Sequence, residues 1–469
     1  MENRCLVYNA RKSHKWSRNV KRKFYEKLAE WKAKRADRFA LLIDGARRVG
    51  KSWIAEEFAK TEYASYLQID FSKASRAIRT IFEENLGNLD TFFMLLEAET
   101  GTRLIRGNAL VVFDEVQEFP RAREAIKTLV ADGRYHYLET GSLVSIRKNT
   151  EGIVIPSEEL HQKMYPMDFE EFLWATGRET MIDVAKKFFM ERMPLGQAVH
   201  RRLMEAYRQY LVVGGMPQAV SEFVRSHDLA EVDQQKRAIL ELYRADIWKH
   251  AGALAPKVER IFDEIPDQLS RHEKNFRVGS LEAKARMRDW SDAFHWLEVA
   301  MFANLCWNST DPNVGLKINL DRKAMKCYLA DTGLLVSHAF DENELAREEI
   351  HRRLLLDKIE VNKGMLVENL AAQMLVASGH KLYFHSESDA CHAENRMEID
   401  FLLAKSRLTR RHNILPVEIK GGANVTHASL DKFRKKYAQW CGEAFLFSDR
   451  DVHVDGGLTY LPHYMLPLL

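Results

Sequence analysis

The chain has 469 residues, is 46% hydrophobic and 29% charged, and carries a formal net charge of +3. That length allows roughly two to four domains, and the near-neutral balance excludes a global basicity that would by itself demand a nucleic-acid partner. The five cysteines (Cys5, Cys306, Cys327, Cys391 and Cys441) are scattered, which argues against a disulfide framework or a paired zinc module and for a reducing compartment. The first residues are polar and basic, without a signal-peptide core, and no apolar run reaches spanning length. A cytoplasmic protein without a membrane partner is the expectation.

The first segment, residues 1–36, reads as a basic helical arm. Between Arg11 and Arg35 the residues Arg11, Lys12, Lys15, Arg18, Lys21, Arg22, Lys23, Lys27, Lys32, Lys34 and Arg35 interleave with Trp16, Phe24, Tyr25, Leu28 and Trp31. One reading is an amphipathic helix that packs its aromatics on the next domain. The other is an arm for phosphates.

Residues 37–190 alternate strand-like and helical runs, the pattern of a parallel sheet with covering helices. The strands expected are Phe39–Asp44, Tyr66–Phe71, Ala109–Phe113 and His136–Thr140. The first delivers the chain to "GARRVGKS", Gly45 to Ser52. Gly45 and Gly50 let the backbone curl so that its N–H groups face a β-phosphate, Lys51 reaches the β/γ-phosphates, and the Ser52 hydroxyl is placed for Mg²⁺. Arg47, Arg48 and Val49 complete the expected nucleotide-binding set. An ordinary glycine turn is the alternative, but a strand before and a helical segment, Ser52 to Lys60, after it favour phosphate.

The third strand ends in "LVVFDEVQ". Four apolar residues carry Asp114 and Glu115 to the carboxyl edge of the sheet, where ligands bind in such folds. Asp114 is the expected partner of the Mg²⁺ shell, and Glu115 is suited to act as general base on the attacking water. The fourth strand closes with "LETGS". Thr140 or Ser142 would sense the γ-phosphate if this strand inserts beside the first; a plain strand-ending turn is the alternative.

With "YPMDFEEFLWA" from Tyr165, "YLVVGGMPQAV" from Tyr210, "LYRADIWKH" from Leu242 and "CYLADTGLL" from Cys327, the chain resembles bacterial and archaeal AAA-type ATPases that carry a C-terminal domain of unknown function. The resemblance covers nearly everything beyond about residue 20 and implies a nucleotide-switched protein using ATP and Mg²⁺. It also implies an adenine contact at Gly215-Met216-Pro217, with Pro217 the binding residue; a helix break with no ligand is the other reading. One departure stands out. The commoner members place a Gly-Arg pair before the stretch equivalent to "YPMDF", and "IPSEELHQKMYPMDF" has none, which leaves Arg47, Arg48 and Arg147 as unranked candidates for an arginine finger.

Residues 191–345 read as a helical lid. "RRLMEAYRQYLVV", "KRAILELYRADIW", "VERIFDEIPDQL" and "DAFHWLEVAMFANLCW" repeat apolar residues at helical spacing. The resemblance implies a winged helix here, with "GLKINL" and "MKCYLAD" as its short strands.

Residues 346–469 change character. A helix, "GMLVENLAAQML", precedes two strand runs, "MEIDFLLAK" and "NILPVEIKGG". Asp400 on the first run and Glu418 with Lys420 on the second match the arrangement of restriction-endonuclease-like phosphodiesterases. In that arrangement Asp400 and Glu418 would hold Mg²⁺ or Mn²⁺, with Glu368 as an additional acid and Lys420 beside the scissile phosphate. Lys405, Arg407, Arg410, Arg411, Lys432, Arg434, Lys435 and Lys436 would neutralise a DNA or RNA backbone. The expected fold is thus α/β throughout: a P-loop AAA-type sheet, a helical and winged-helix middle, and a restriction-endonuclease-like end. The leading reading is an ATPase controlling a nuclease. A switch that binds nucleic acid or protein without cutting is the alternative, and oligomerisation is open. Cys391-His392 reads as loop rather than a zinc site.

Overall fold

A computed structural model describes residues 21–141, 156–271, 275–313, 315–341, 344–356, 358, 363–387, 396–405, 412–421 and 425–469. These form two compact units, 1–165 and 166–469 as divided by their internal contacts. No described helix is long and apolar enough to cross a membrane.

In the first unit, helix α1 (Phe24–Lys34) buries Phe24, Leu28 and Trp31, spaced four and three apart so that they share one face. The Tyr25 ring meets Phe58 edge-on at 5.3 Å, and the Trp31 indole donates to the Phe39 carbonyl at 2.9 Å. The described part of the basic segment is therefore a packed helix; Arg11, Lys12, Lys15, Trp16 and Arg18 lie outside the described residues.

Strands β1 (Ala40–Asp44), β2 (Ser65–Asp70), β3 (Ala109–Asp114), β4 (His136–Gly141) and β5 (Glu159–Lys163) form one sheet in the order β2-β3-β4-β1-β5. Every pairing in it is parallel. All five residues of β1 and all six of β3 are buried, as strands covered on both faces require. Helices α2 (Lys51–Glu62), α3 (Arg76–Glu84), α4 (Leu89–Thr100) and α5 (Pro120–Asp132) accompany the sheet. The four expected strands are present. The fifth escaped the sequence reading because "ELHQK" has neither an apolar run nor a clear alternation and only Leu160 as an aliphatic anchor.

The second unit begins with helices and ends in two sheets. One holds β6 (Ala303–Ser309), β7 (Leu320–Leu329), β8 (Tyr383–Glu387) and β9 (Met397–Ile399), in the order β7-β6-β8-β9. The other holds β10 (Phe401–Ala404), β11 (Ile414–Ile419), β12 (Ala444–Ser448), β13 (His453–Asp455) and β14 (Leu458–Pro462), in the order β10-β11-β12-β14-β13.

Three expectations change here. The helix expected over "DAFHWLEVAMFANLCW" ends at Val299, and its last residues become β6; Met301 takes a positive φ of 57° between them. "GLKINL" is chiefly a turn that leads into β7, whereas "MKCYLAD" does lie on β7. The β6–β7 hairpin shares its sheet with β8 and β9, so no sheet boundary falls at residue 345. A further difference is that "MEIDFLLAK" is not one strand. It bends at Asp400, with β9 in one sheet and β10 in the other.

Candidate functional site

Gly45 follows the last residue of β1, where a Cβ would lie 2.5 Å from the Met164 carbonyl oxygen. Gly50 has φ +97° and precedes α2 with no side chain capping that helix. Only glycine takes these two positions without strain, and the loop between them exposes Arg47 and Arg48 while burying Val49. An uncapped helix start offers its first N–H groups and its positive dipole end to an anion. The Lys51 ammonium lies over the same loop, donating to the carbonyls of Gly45 at 2.8 Å and Ala46 at 3.0 Å.

Strand order brings the remaining groups together. β4 lies between β3 and β1, with Val112 opposite Leu138 and Ile43 opposite Thr140. The Ser52 hydroxyl donates to Asp114 Oδ1 at 2.8 Å, Thr140 Oγ1 donates to the same oxygen, and Gln68 Nε2 donates to Oδ2 at 3.3 Å. Burial pushes the Asp114 carboxyl above its ordinary pKa, against the Thr140 and Ser52 hydroxyls that favour its charge. A serine hydroxyl and a carboxylate are hard oxygen donors of the kind Mg²⁺ accepts, so this pair fits that ion. Glu115 follows in the left-handed region, φ +53°. Its N–H donates to Thr140 Oγ1 at 3.3 Å, and its carboxylate accepts from Gln117 Nε2. Ser142 and Arg147 lie outside the described residues.

Two features of this unit were missed by the sequence reading. Arg22 reaches across to the phosphate loop: Nη1 donates to the Val49 carbonyl at 2.8 Å and Nη2 to the Tyr165 carbonyl at 2.7 Å. The only hint was its place in a basic segment. Below Thr140, Glu139 is fully buried. Burial first, then the neighbouring Glu159 charge, raise its pKa well above the carboxylate range. Glu159 is held down to about 2, against its own burial, by Arg123 and His161. Arg123 grips it with two bonds, of 2.9 and 2.7 Å.

In the second unit, Pro217 is buried at the first turn of helix Pro217–Ser226. Gly214 has φ +81°, and a Cβ on Gly215 would sit 2.1 Å from the Met167 carbonyl oxygen. The Gly215 N–H donates to Asp331 Oδ2 at 2.6 Å, and its carbonyl accepts from Met167 N–H at 2.7 Å. Helix geometry and close backbone packing thus account for these glycines.

The C-terminal acids do gather. Asp400 Oδ2 accepts from the Ile419 N–H at 2.9 Å, and Glu418 Oε1 accepts from Lys420 Nζ at 2.5 Å. Burial first, then the Asp400 charge, push Glu418 to a pKa of about 8. Unforeseen is Lys326 of β7, whose ammonium lies 2.7 Å from Glu398, 3.2 Å from Glu368 and 3.7 Å from Asp400. Its burial disfavours the charge, yet Glu368, Glu398 and Asp400 hold its pKa well above the ordinary lysine value. Among the described residues, no group of three or more His, Cys, Asp or Glu is placed to hold a metal ion. Of the basic residues expected nearby, Lys432 donates to the Arg396 carbonyl, Arg434 donates to the Gly456 carbonyl and Lys436 pairs with Glu387; Arg407, Arg410 and Arg411 lie outside the described residues, as do Cys391 and His392.

Residues 37–173 match the family model described as AAA domain. Residues 204–344 and 363–465 each match a domain of unknown function, DUF8612 and DUF4143 respectively. No curated protein matches the chain. Among solved structures, the Walker-type ATPase PABY2304 of Pyrococcus abyssi is 15% identical, over 71% of this chain and 100% of that one, with a TM-score of 0.41. AMPPCP-bound DnaA from Aquifex aeolicus is 12% identical, over 60% and 77%, with a TM-score of 0.25. PCH-2 of C. elegans is 14% identical, over 45% and 64%, with a TM-score of 0.24. The family match and the loop-to-Asp114 geometry agree on the class of residues 37–173: they match an AAA domain, with a P-loop leading from β1 into α2.

Proposed function

We propose that this chain binds Mg²⁺·ATP on the Gly45–Ser52 loop, hydrolyses it, and uses the nucleotide state to switch a C-terminal region that binds nucleic acid or protein without cutting it. One observation carries the catalytic half: Ser52 and Thr140 both donate to Asp114 Oδ1, and Glu115 is the next residue. Ser52 and Asp114 are the residues that would hold Mg²⁺, which would neutralise charge between the β- and γ-phosphates. Lys51 stabilises the charge that develops on those phosphates. Glu115 takes the proton of the attacking water, and Thr140 reports the γ-phosphate to Asp114 and Glu115. Pro217 is the proposed adenine contact, supported by the family resemblance alone.

Glu115→Gln tests the reading. ATP affinity should persist while turnover falls by roughly 10²–10⁴-fold, the usual worth of a general base. A steady-state ATPase assay showing wild-type turnover would remove Glu115 from that role.

A metal-dependent nuclease is the second reading. It is favoured by the convergence of Asp400, Glu418 and Lys420 in one place. The Lys326 ammonium among the same acids favours binding without cutting.

A further inference from the structure

Four carboxyl groups, of Glu368, Glu398, Asp400 and Glu418, converge between helix Lys363–Ala377, β7 and the ends of β9 and β11. With Glu398 partly exposed and the other three largely buried, such a cluster needs either protons or a cation, because each added negative charge raises the cost of the rest. A phosphodiesterase of the restriction-endonuclease-like type would meet that need with a divalent ion ringed by oxygens at about 2.0–2.6 Å. Here the need is met from within the chain. The Lys326 side chain is 1% exposed, and its ammonium faces oxygens of Glu398, Glu368 and Asp400 at 2.7, 3.2 and 3.7 Å. Glu398 and Glu368 lie within hydrogen-bond reach of the ammonium, and Asp400 stands beside them as a third acid at ion-pair distance.

The surroundings hold this arrangement in place. Tyr328, two residues along β7 and on the same face, donates to Glu368 Oε1 at 2.5 Å. The Phe384 ring lies 5.1 Å from the ammonium, and a ring face that near a desolvated cation adds to its stability. On the other side, Lys420 takes Glu418 Oε1, while Glu418 Oε2 is buried and accepts no hydrogen bond from the described residues. A divalent ion entering here would lie against one buried ammonium and beside a second. The acids therefore do not fit a metal as they stand.

We propose that Lys326 is the resident cation of this site: its ammonium takes the place of the divalent metal, so Asp400 and Glu418 bind none and the C-terminal domain works metal-free. The inference extends the non-cutting reading above. A domain can fail to cut for other reasons, so the test follows metal rather than cleavage.

The probe is Mn²⁺ alone, titrated into the nucleotide-free full chain and followed by the electron paramagnetic resonance signal of the free ion up to millimolar concentration. Asp400→Asn should leave the number of bound Mn²⁺ unchanged. Loss of one ion per chain on Asp400→Asn, with that ion retained in Asp114→Asn, would overturn the proposal. Lys326→Met should gain one Mn²⁺ per chain that the wild type does not bind at any concentration in the titration. Adding Asp400→Asn to that variant should abolish the gain. A folded Lys326→Met protein with no added site also overturns the proposal. If that variant does not fold, the wild-type comparison decides alone. Cleavage of single- or double-stranded DNA or RNA that persists in EDTA would support this inference while removing the non-cutting reading. Cleavage that needs both Mn²⁺ and Asp400 would overturn both.

Discussion

Ser52 Oγ lies 2.8 Å from Asp114 Oδ1, so a hydroxyl at the start of α2 and a carboxylate at the end of β3 meet across 62 residues of sequence. If this pair holds the Mg²⁺ of Mg²⁺·ATP, then Asp114→Asn should lose affinity only when Mg²⁺ is present. Binding of metal-free ATP should change little, since Lys51 and the loop N–H groups remain. Calorimetric titrations with and without Mg²⁺ separate the two. Tightening by Mg²⁺ in the variant to the wild-type degree would exclude Asp114 from the metal's shell.

The buried Glu139 gives the fold a pH dependence whose sign is fixed. Its folded pKa is raised, by burial first and by Glu159 second, so the native state holds a proton that the unfolded chain releases. Its contribution to stability is fully present below the ordinary glutamate pKa and is lost as the pH rises above that value. Over that window the slope approaches about 1.4 kcal/mol per pH unit for one group. Glu139→Gln keeps a neutral group of the same size and should remove this loss. The variant should match the wild type near pH 5 and exceed it in melting temperature near pH 8. A wild-type advantage at pH 8 would show that Glu139 is ionised in the fold.

The buried part of the nucleotide site was legible because its signals are local. β1 and β3 are continuous apolar runs, Gly45 and Gly50 occupy positions that only glycine fills easily, and Asp114 ends a strand. β5 was not legible, because "ELHQK" has neither a long apolar run nor a clear alternation; it is a strand because β1 offers it an edge. Lys326 was hidden for a different reason. Its motif "KCYLAD" reads as an ordinary strand, and only the packing of helix Lys363–Ala377 against β7 brings it to Glu368, 42 residues on, while the sheet order β7-β6-β8-β9 brings it to Glu398 beyond. Periodicity predicts which face is buried, but not that a lysine on it will find three acids.

The Gly215 turn separates geometry from ligand binding. Alanine there would place a Cβ 2.1 Å from the Met167 carbonyl oxygen, on backbone that is itself hydrogen-bonded to Gly215. Gly215→Ala should therefore destabilise the second unit by about 1–3 kcal/mol or more, as overpacking does. A denaturant midpoint equal to that of the wild type would contradict the packing. Pro217→Ala leaves this contact intact and so serves as the contrast. If Pro217 touches adenine, that variant should weaken ATP while sparing inorganic triphosphate.

Arg22 offers the last test, because it acts on the phosphate loop without belonging to it. Its guanidinium holds the Val49 carbonyl at 2.8 Å and the Tyr165 carbonyl at 2.7 Å, two acceptors that a rigid planar fork reaches together. A lysine has one ammonium and cannot reproduce that geometry. Hydrogen bonds from a charged donor contribute about 1.5–3 kcal/mol, but the loop is also held by Gly45, Val49 and the start of α2, so only part of that should reach the ligand. Arg22→Ala should weaken ATP by roughly 3–10-fold, with Arg22→Lys close to alanine rather than to wild type. Turnover at saturating ATP should change less than affinity, since Asp114, Thr140 and Glu115 are untouched. Unchanged affinity in Arg22→Ala, measured by competition with a fluorescent ATP analogue, would reduce Arg22 to an anchor of the N-terminal helix. Full rescue by lysine would show that charge, and not the fork, is what the loop requires.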